Sequence, residues 1–364
     1  REDELIADLA LGAAAAFPME KLLHDPAFRL SDNALAKEGA SSEVVAGLIL
    51  DKQPLNRQMP SKLTPATILL VDDALEAEQV EEEALRTEAG FERYMQLQKD
   101  FAEEISSLTS LGANVIFVRK GVAESAEEAL TEAGILVVRR MMAKDMARIA
   151  EHTKARIIKR SGLRKAPREL RECFGQAESV VYDEKLEHLR VTGGAGEPAA
   201  TILVGAATRE VREERQRIAQ DAAAAVQAAL RGGILAGGGA SEIGAMRAVQ
   251  RVRAEVSGMA AYGLDCVAEA LKRPLAQIVA NAGFNPLEKV EEVSARQTSE
   301  DSALYGVNCD TGEVQDMMAA GVVDPALVKI HALEAAAEIA EAILRINTVI
   351  RKRDSQPQPG PEQV

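Results

Sequence analysis

The chain has 364 residues, 47% of them hydrophobic but only 3% aromatic, too many for one simple core and enough for two or three domains. A formal charge of −14 argues against a nucleic-acid binder, whose affinity comes from surplus Lys and Arg neutralising phosphates. Three Cys with no CxxC pair and four scattered His spell neither a disulfide framework nor a zinc cluster, so no metal ligands are read and a cytoplasmic setting is expected.

No apolar run approaches the roughly 20 residues a membrane span needs, and the opening Arg1-Glu2-Asp3-Glu4-Leu5 lacks the basic-then-apolar order of a signal peptide. Residues 5–16 read as a helix that stops at Phe17-Pro18. The apolar burst 44–50 reads as a strand, and Pro54 and Pro60 mark a crossing linker. Residues 67–71, 113–118 and 134–138 are short apolar runs of the kind that fill a buried sheet. Between the first and second, Leu97, Phe101, Ile105 and Leu108 form one helical stripe ended by Gly112. The segment 76–96 is acidic, weakly patterned and too long for an ordinary connector. A helix fits 144–153, and residues 201–204 read as a further strand. Thr208 is placed to cap a long Ala-rich helix reaching Leu230. Beyond Gly237-Gly238-Gly239 the chain reads as mainly helical, with Asp324-Pro325 as N-cap and first-turn proline of the last helix. Residues 355–364 cannot bury a core and read as a disordered tail.

Six segments occur in an order that resembles the chaperonins. They are Gly47 to Lys52, Gly112 to Gly121, Ala133 to Arg140, Val204-Gly205-Ala206-Ala207-Thr208 leading into a helix with Asp221, the Gly237 to Gly239 turn, and Tyr305 to Asn308 ahead of Gly321 to Pro325. The second and third, Gly112 to Gly121 and Ala133 to Arg140, look like the apical domain of the thermosome and the eukaryotic cytosolic chaperonin (group II), while Val204 to Thr208 is more typical of the bacterial ring, a mixture that points to group III. The resemblance implies a multidomain fold, with an α/β apical domain plus mainly helical intermediate and equatorial domains. Its expected limits are intermediate 1–53, apical 54–198 with a lid protrusion at 76–96, intermediate again 199–231, equatorial 232–354, and the tail. The family's Gly-Asp-Gly-Thr-Thr phosphate loop is absent from this chain, so the simplest expectation is that it starts within the first intermediate segment.

The same resemblance implies a set of functional roles. ATP is the expected cofactor, with Mg2+ ligated from the segment that carries the phosphate loop. Asp221 is the candidate to position or deprotonate the attacking water, against its reading as a solvated helix residue. Gly237 and Gly238 are candidates for backbone approach to the nucleotide, against a plain helix-to-helix turn. Asn308 is placed by the adenine and Asp324 at the ribose, against a purely structural role. Met142, Met146 and Ile149 are candidates to hold unfolded chains, against a core stripe. Phe91 and Tyr94 would belong to a built-in lid, against a loose acidic loop. The expected partners are unfolded proteins and further copies in a homo-oligomeric double ring, with no cochaperonin, nucleic acid or membrane. The rival reading is a fragment that holds polypeptides without ATP or ring assembly. The three Cys read as small core residues, and the basic cluster at 159–171 as a solvated face.

Overall fold

A computed structural model describes residues 2–78 and 86–348, and the chain divides into two compact units, Arg1–Leu230 and Arg231–Val364. Part of the expected lid (79–85) and the expected tail lie outside the described residues.

In the first unit, α1 (Glu2–Ala15) and α2 (Met19–His24) flank the Phe17-Pro18 break, and a 3-10 turn leads into β1 (Ala34–Glu38). The apolar burst is two strands rather than one, β2 (Glu43–Ala46) and β3 (Leu48–Leu50). Gly47 divides them at φ 131°, where a Cβ would collide with the Val191 carbonyl. Strands and helices then alternate: β4 (Lys62–Leu63), β5 (Ala66–Val71), α3 (Glu88–Ser110), β6 (Val115–Val118), α4 (Glu124–Glu132), β7 (Leu136–Val138), α5 (Ala143–Thr153) and β8 (Ile157–Ile158). After α6 (Pro167–Arg171) come β9 (Gly175–Asp183), β10 (His188–Gly194), β11 (Ala200–Ala206) and α7 (Arg209–Gly232).

These strands make two sheets. The larger runs β3-β10-β9-β5-β6-β7, with β4 on β9 and β8 on β5. Within it β8, β5, β6 and β7 are parallel, as in Leu70 opposite Ile157 and Leu69 opposite Ile116. Residues 68–71, 115–118 and 136–138 are fully buried, each such side chain contributing about 1.5–3 kcal/mol. Phe101, Ile105 and Leu108 of α3 pack on this sheet, as the stripe predicts. The smaller sheet, β1-β11-β2, has its own core with Ala10 and Ala13 of α1, Leu22 of α2, and Ala219 and Ala223 of α7. The long hairpin β9–β10 has no counterpart in the sequence reading. Its turn is fixed by Asp183, whose Oδ1 accepts from the N–H groups of Lys185 and Leu186 at 3.0 Å each.

The chain passes between the two sheets at Gly47 and along a strap, 195–199. The strap lies on the last turn of α5, whose terminal carbonyls need donors. Gly196 N–H reaches His152 O at 2.8 Å and Glu197 N–H reaches Glu151 O at 2.9 Å. A Cβ on Gly194 or Gly196 would overlap those same carbonyls. Lys21 of α2 bridges the carboxylates of Glu151 (2.8 Å) and Glu197 (2.6 Å). Burial works against the Lys21 charge, but the two carboxylates outweigh it and hold its pKa above the ordinary lysine value.

The second unit contains β12 (Ile234–Ala236), α8 (Ala240–Arg253), α9 (Met259–Leu271), α10 (Arg273–Asn281), α11 (Pro286–Ser299), β13 (Tyr305–Val307), β14 (Val314–Asp316), β15 (Val323–Pro325) and α12 (Ala326–Leu344). Ile243, Met246, Leu271, Leu275, Val279 and Val293 form its core. The helix α11 is absent from the sequence reading, although Asn285-Pro286 marks it: Asn285 caps it by accepting from Leu287 N–H at 3.1 Å. One expectation is corrected. Asp324 is not an N-cap, because α12 starts only at Ala326 with Pro325 as its cap residue, and the Asp324 backbone is engaged in β15.

Two glycines are expected to respond to alanine in opposite ways, one in the strap and one in a helix with open space around it. Gly196→Ala is expected to cost about 2–3 kcal/mol through backbone collision. Gly263→Ala, in α9 with nothing within 4 Å of the added methyl, should add about 0.5–1 kcal/mol. Urea titrations followed by circular dichroism decide it; a Gly196→Ala chain unfolding at the wild-type midpoint would sink the close-approach account.

Candidate functional site

In the second unit the glycine turn is built by the pairing of β12 with β15, which sets Leu235 opposite Asp324. Gly237 N–H donates to Val322 O at 2.9 Å. Gly238 (φ 63°) and Gly239 (φ 82°) then reverse the chain into α8, whose N-terminus has no side-chain cap. A Cβ on Gly239 would lie 2.8 Å from Leu275, and one on Gly237 would lie 3.3 Å from the Asp324 carboxyl carbon. The glycines are therefore required by packing, and at Gly237 they also leave open the space beside a carboxylate.

That carboxylate belongs to a small ionic network. Lys329 of α12 reaches Asp324 at 2.8 Å and Glu242 of α8 at 2.6 Å. Burial is the largest single influence on Lys329 and opposes its charge, yet the hydrogen bonds to Asp324 and Glu242 together raise its pKa above 10.5. Lys329 and Glu242 have no place in the sequence reading, although Lys329 is the only Lys or Arg within α12. Asn308 stands in the β13–β14 loop, where its Oδ1 accepts from Asp310 N–H (2.9 Å) and Thr311 N–H (3.3 Å) and its amide donates to Gln315 (3.4 Å). Met317 packs against Ala236 and Ala240, within 3.0 Å of where a Gly238 Cβ would be.

This arrangement brings Gly237, Gly238 and Asp324 together, with a carboxylate suited to accept from hydroxyl groups beside glycines that carry no side chains of their own. Those features fit the nucleoside part of a nucleotide. Among the described residues no group of three or more His, Cys, Asp or Glu could hold a metal ion.

The candidates of the first unit separate. Asp221 is on α7, 68% exposed, and paired with Arg217 one turn earlier at 3.1 Å. Phe91 (55% exposed) and the half-buried Tyr94 occupy the first turns of α3, which Thr87 caps through Gly90 N–H at 3.1 Å. Met142 is 51% exposed just before α5, whereas Met146 (1%) and Ile149 (0%) are core residues. A client-binding role for Met146 and Ile149 is corrected accordingly, because the apolar face of α5 is turned onto the large sheet. Of the cysteines only Cys173 is buried; Cys266 and Cys309 are exposed. The basic cluster is only partly solvated, since Arg160 and Arg164 converge on Glu104 at 4.0 and 2.5 Å.

A lysine pKa raised in the folded chain gives stability that is whole below about pH 10.5 and is lost as pH rises through the folded value. The unfolding free energy should therefore fall more steeply above that pH in the wild-type chain than in Lys329→Gln. Identical alkaline profiles in chemical denaturation would remove the network from the stability of the fold.

The profile of the TCP-1/cpn60 chaperonin family matches residues 1–354. A thermosome subunit of Pyrococcus abyssi is 33% identical over 361 residues, 96% of this chain and 64% of the relative. One of Methanocaldococcus jannaschii is 32% identical over 329 residues, 86% of this chain and 59% of the relative. This chain thus spans about six-tenths of the relatives' length. Among solved structures, a group III chaperonin in the open state is 42% identical with a TM-score of 0.84, over 95% of this chain and 70% of that one. An open-state monomer of a group II chaperonin from Methanococcoides burtonii is 26% identical with a TM-score of 0.62, over 94% and 80%. The order of motifs, the multidomain α/β and helical fold and the profile spanning nearly the whole sequence agree: the chain belongs to the TCP-1/cpn60 chaperonin family.

Proposed function

We propose that this chain is part of a chaperonin subunit that assists the folding of non-native proteins in a ring, with ATP hydrolysis driving the cycle of the whole assembly. The similarity to the open group III chaperonin, 42% identity at a TM-score of 0.84, is the observation that supports it most directly. In this reading residues 54–198 with the large sheet are the apical domain. Residues 1–53 and 199–231, which share the small sheet, are the intermediate domain, and 232–354 are the equatorial portion.

Bound ATP would supply the phosphoanhydride whose cleavage drives the cycle. Toward it, the Asp324 carboxylate would accept hydrogen bonds from ribose hydroxyls, Gly237 and Gly238 would leave the backbone open to close approach, and Asn308 would offer its amide near the base. Asp221 on α7 would hold and deprotonate the attacking water. Its exposure, with Arg217 one turn away, leaves the carboxylate accessible for that role. Mg2+ would take its ligands from elsewhere in the assembled protein. Phe91 and Tyr94, at the start of α3 where the acidic segment joins it, would belong to a built-in lid that makes a cochaperonin unnecessary.

Two measurements test this. The chain should suppress aggregation of a chemically denatured protein, and Asp221→Ala in the complete, assembled subunit should lower ATP turnover at least about tenfold without changing nucleotide affinity. Suppression with no turnover in either form would favour the ATP-independent holding activity, and equal turnover in both would remove Asp221 from catalysis.

A further inference from the structure

The carboxyl ends of the parallel strands gather charge that the proposed cycle does not use. The chain runs from β5 to β6 to β7 in one direction and returns to place β8 on the other side of β5. The crevice between β5 and β8 is thus a point where the strand order reverses, the place where open α/β sheets receive ligands. Each of these strands ends in two charged residues: Asp72-Asp73, Arg119-Lys120, Arg139-Arg140 and Lys159-Arg160.

Their pairing is uneven. Asp72 takes Lys159 at 3.0 Å and Arg119 at 3.6 Å, and Asp73 takes Lys120 at 3.1 Å. Arg160 turns away to Glu104 and lies 5.6 Å from the Phe101 ring centre. Arg139 and Arg140 are exposed, and among the described residues neither guanidinium has a hydrogen bond or an ion pair. Arg140 is held in a left-handed conformation (φ 55°), its N–H bonded to Lys120 O at 3.1 Å. That bond fixes the unpaired arginines beside the Lys120–Asp73 pair. Two residues on, the exposed thioether of Met142 adds an adaptable apolar contact.

A rim whose cations (Arg119, Lys120, Arg139, Arg140 and Lys159) outnumber its carboxylates (Asp72 and Asp73), in a chain of net charge −14, calls for an anionic partner. The guanidinium fork matches carboxylates in two parallel hydrogen bonds, and the rim already binds carboxylates in Asp72 and Asp73. A phosphate cradle is a poor alternative, because residues 72–78, which follow β5, form neither a glycine-rich turn nor a helix. The overall negative charge opposes nucleic acid. We infer that the carboxyl edge of the large sheet, through Arg139, Arg140 and Lys120 with Met142 beside them, binds acidic stretches of extended polypeptide. The inference rests on the folding-assistant reading and gives that function a preferred class of client segment.

The test uses the full chain and fluorescein-labelled peptides, one alternating Glu with Leu and Ser and one with Lys in place of Glu, read by anisotropy. The wild type should bind the Glu peptide more tightly than the Lys peptide, and added salt should weaken that binding. Arg139→Gln with Arg140→Asn, a residue that tolerates the left-handed backbone, should lower the affinity at least about tenfold. Arg139→Glu with Arg140→Glu should transfer the preference to the Lys peptide, a gain that misfolding would not produce. Equal binding of both peptides, unchanged affinity in the Gln/Asn variant, or tighter binding of a single-stranded RNA than of the Glu peptide would overturn the proposal. A wild type that binds the Glu peptide but suppresses no aggregation of denatured protein would support the acidic site while removing the folding-assistant reading.

Discussion

The first unit depends on the contact between the last turn of α5 and the strap 195–199. A helix end leaves carbonyls without partners, and here the strap supplies the donors for Glu151 and His152. The His152 ring completes the joint. Gly194 N–H can only donate, so Nε2 accepts at 3.2 Å, and Nδ1 carries the proton that it donates to Glu197 O at 2.8 Å. Side chains at 194 and 196 would separate these surfaces. The two sheets are thereby joined by backbone bonds at one place and by Gly47 at the other. Any change in their mutual orientation has those two crossings to bend, which is where a chaperonin cycle of the kind proposed would act.

The charged residues divide into those that fix geometry and those left for partners. Exposed pairs such as Arg217–Asp221 contribute little because solvent screens them, far less than the buried strands of the large sheet. Lys21 and Lys329 differ because each is partly buried between two carboxylates from separate elements. Their value lies in orientation: Lys21 ties α2 to α5 and to the strap, and Lys329 ties α12 to α8 and β15. His188 shows the opposite balance. Burial, then the nearby Arg190, push its pKa down, so it packs as a neutral ring with Nε2 accepting from Arg190 at 3.0 Å.

Function in this reading follows from that division. Where a carboxylate and a cation face each other in a packed setting, as at Asp324 and Lys329, the group is oriented but still half-open to a hydroxyl-bearing ligand. Where cations stand without carboxylates, as at Arg139 and Arg140, the surface is ready for a partner that brings them. The same chain, acidic overall, therefore presents a local positive rim.

By itself the sequence determined the elements whose signal is local. The apolar runs at 67–71, 113–118 and 134–138 became parallel strands, and the stripe Phe101, Ile105 and Leu108 became the buried face of α3, because continuous burial and helical spacing leave direct marks in the residue order. Family membership was legible for the same reason, through short motifs in a fixed order. Only the tertiary structure decided what depends on distant neighbours. Gly47 split one apolar burst into two strands because Val191 crosses beside it. Met142 and Met146 have the same chemistry and opposite fates, since α5 turns one toward solvent and the other onto the sheet. Asp324 reads as a cap locally, yet pairing with Leu235 draws its backbone into a strand and its carboxylate to Lys329. The positive rim collects residues 72, 119, 139–140 and 159 from four strands, and no window along the chain contains that set. Composition and periodicity act through the nearest few residues, whereas a site is made where the topology brings separate strand ends together.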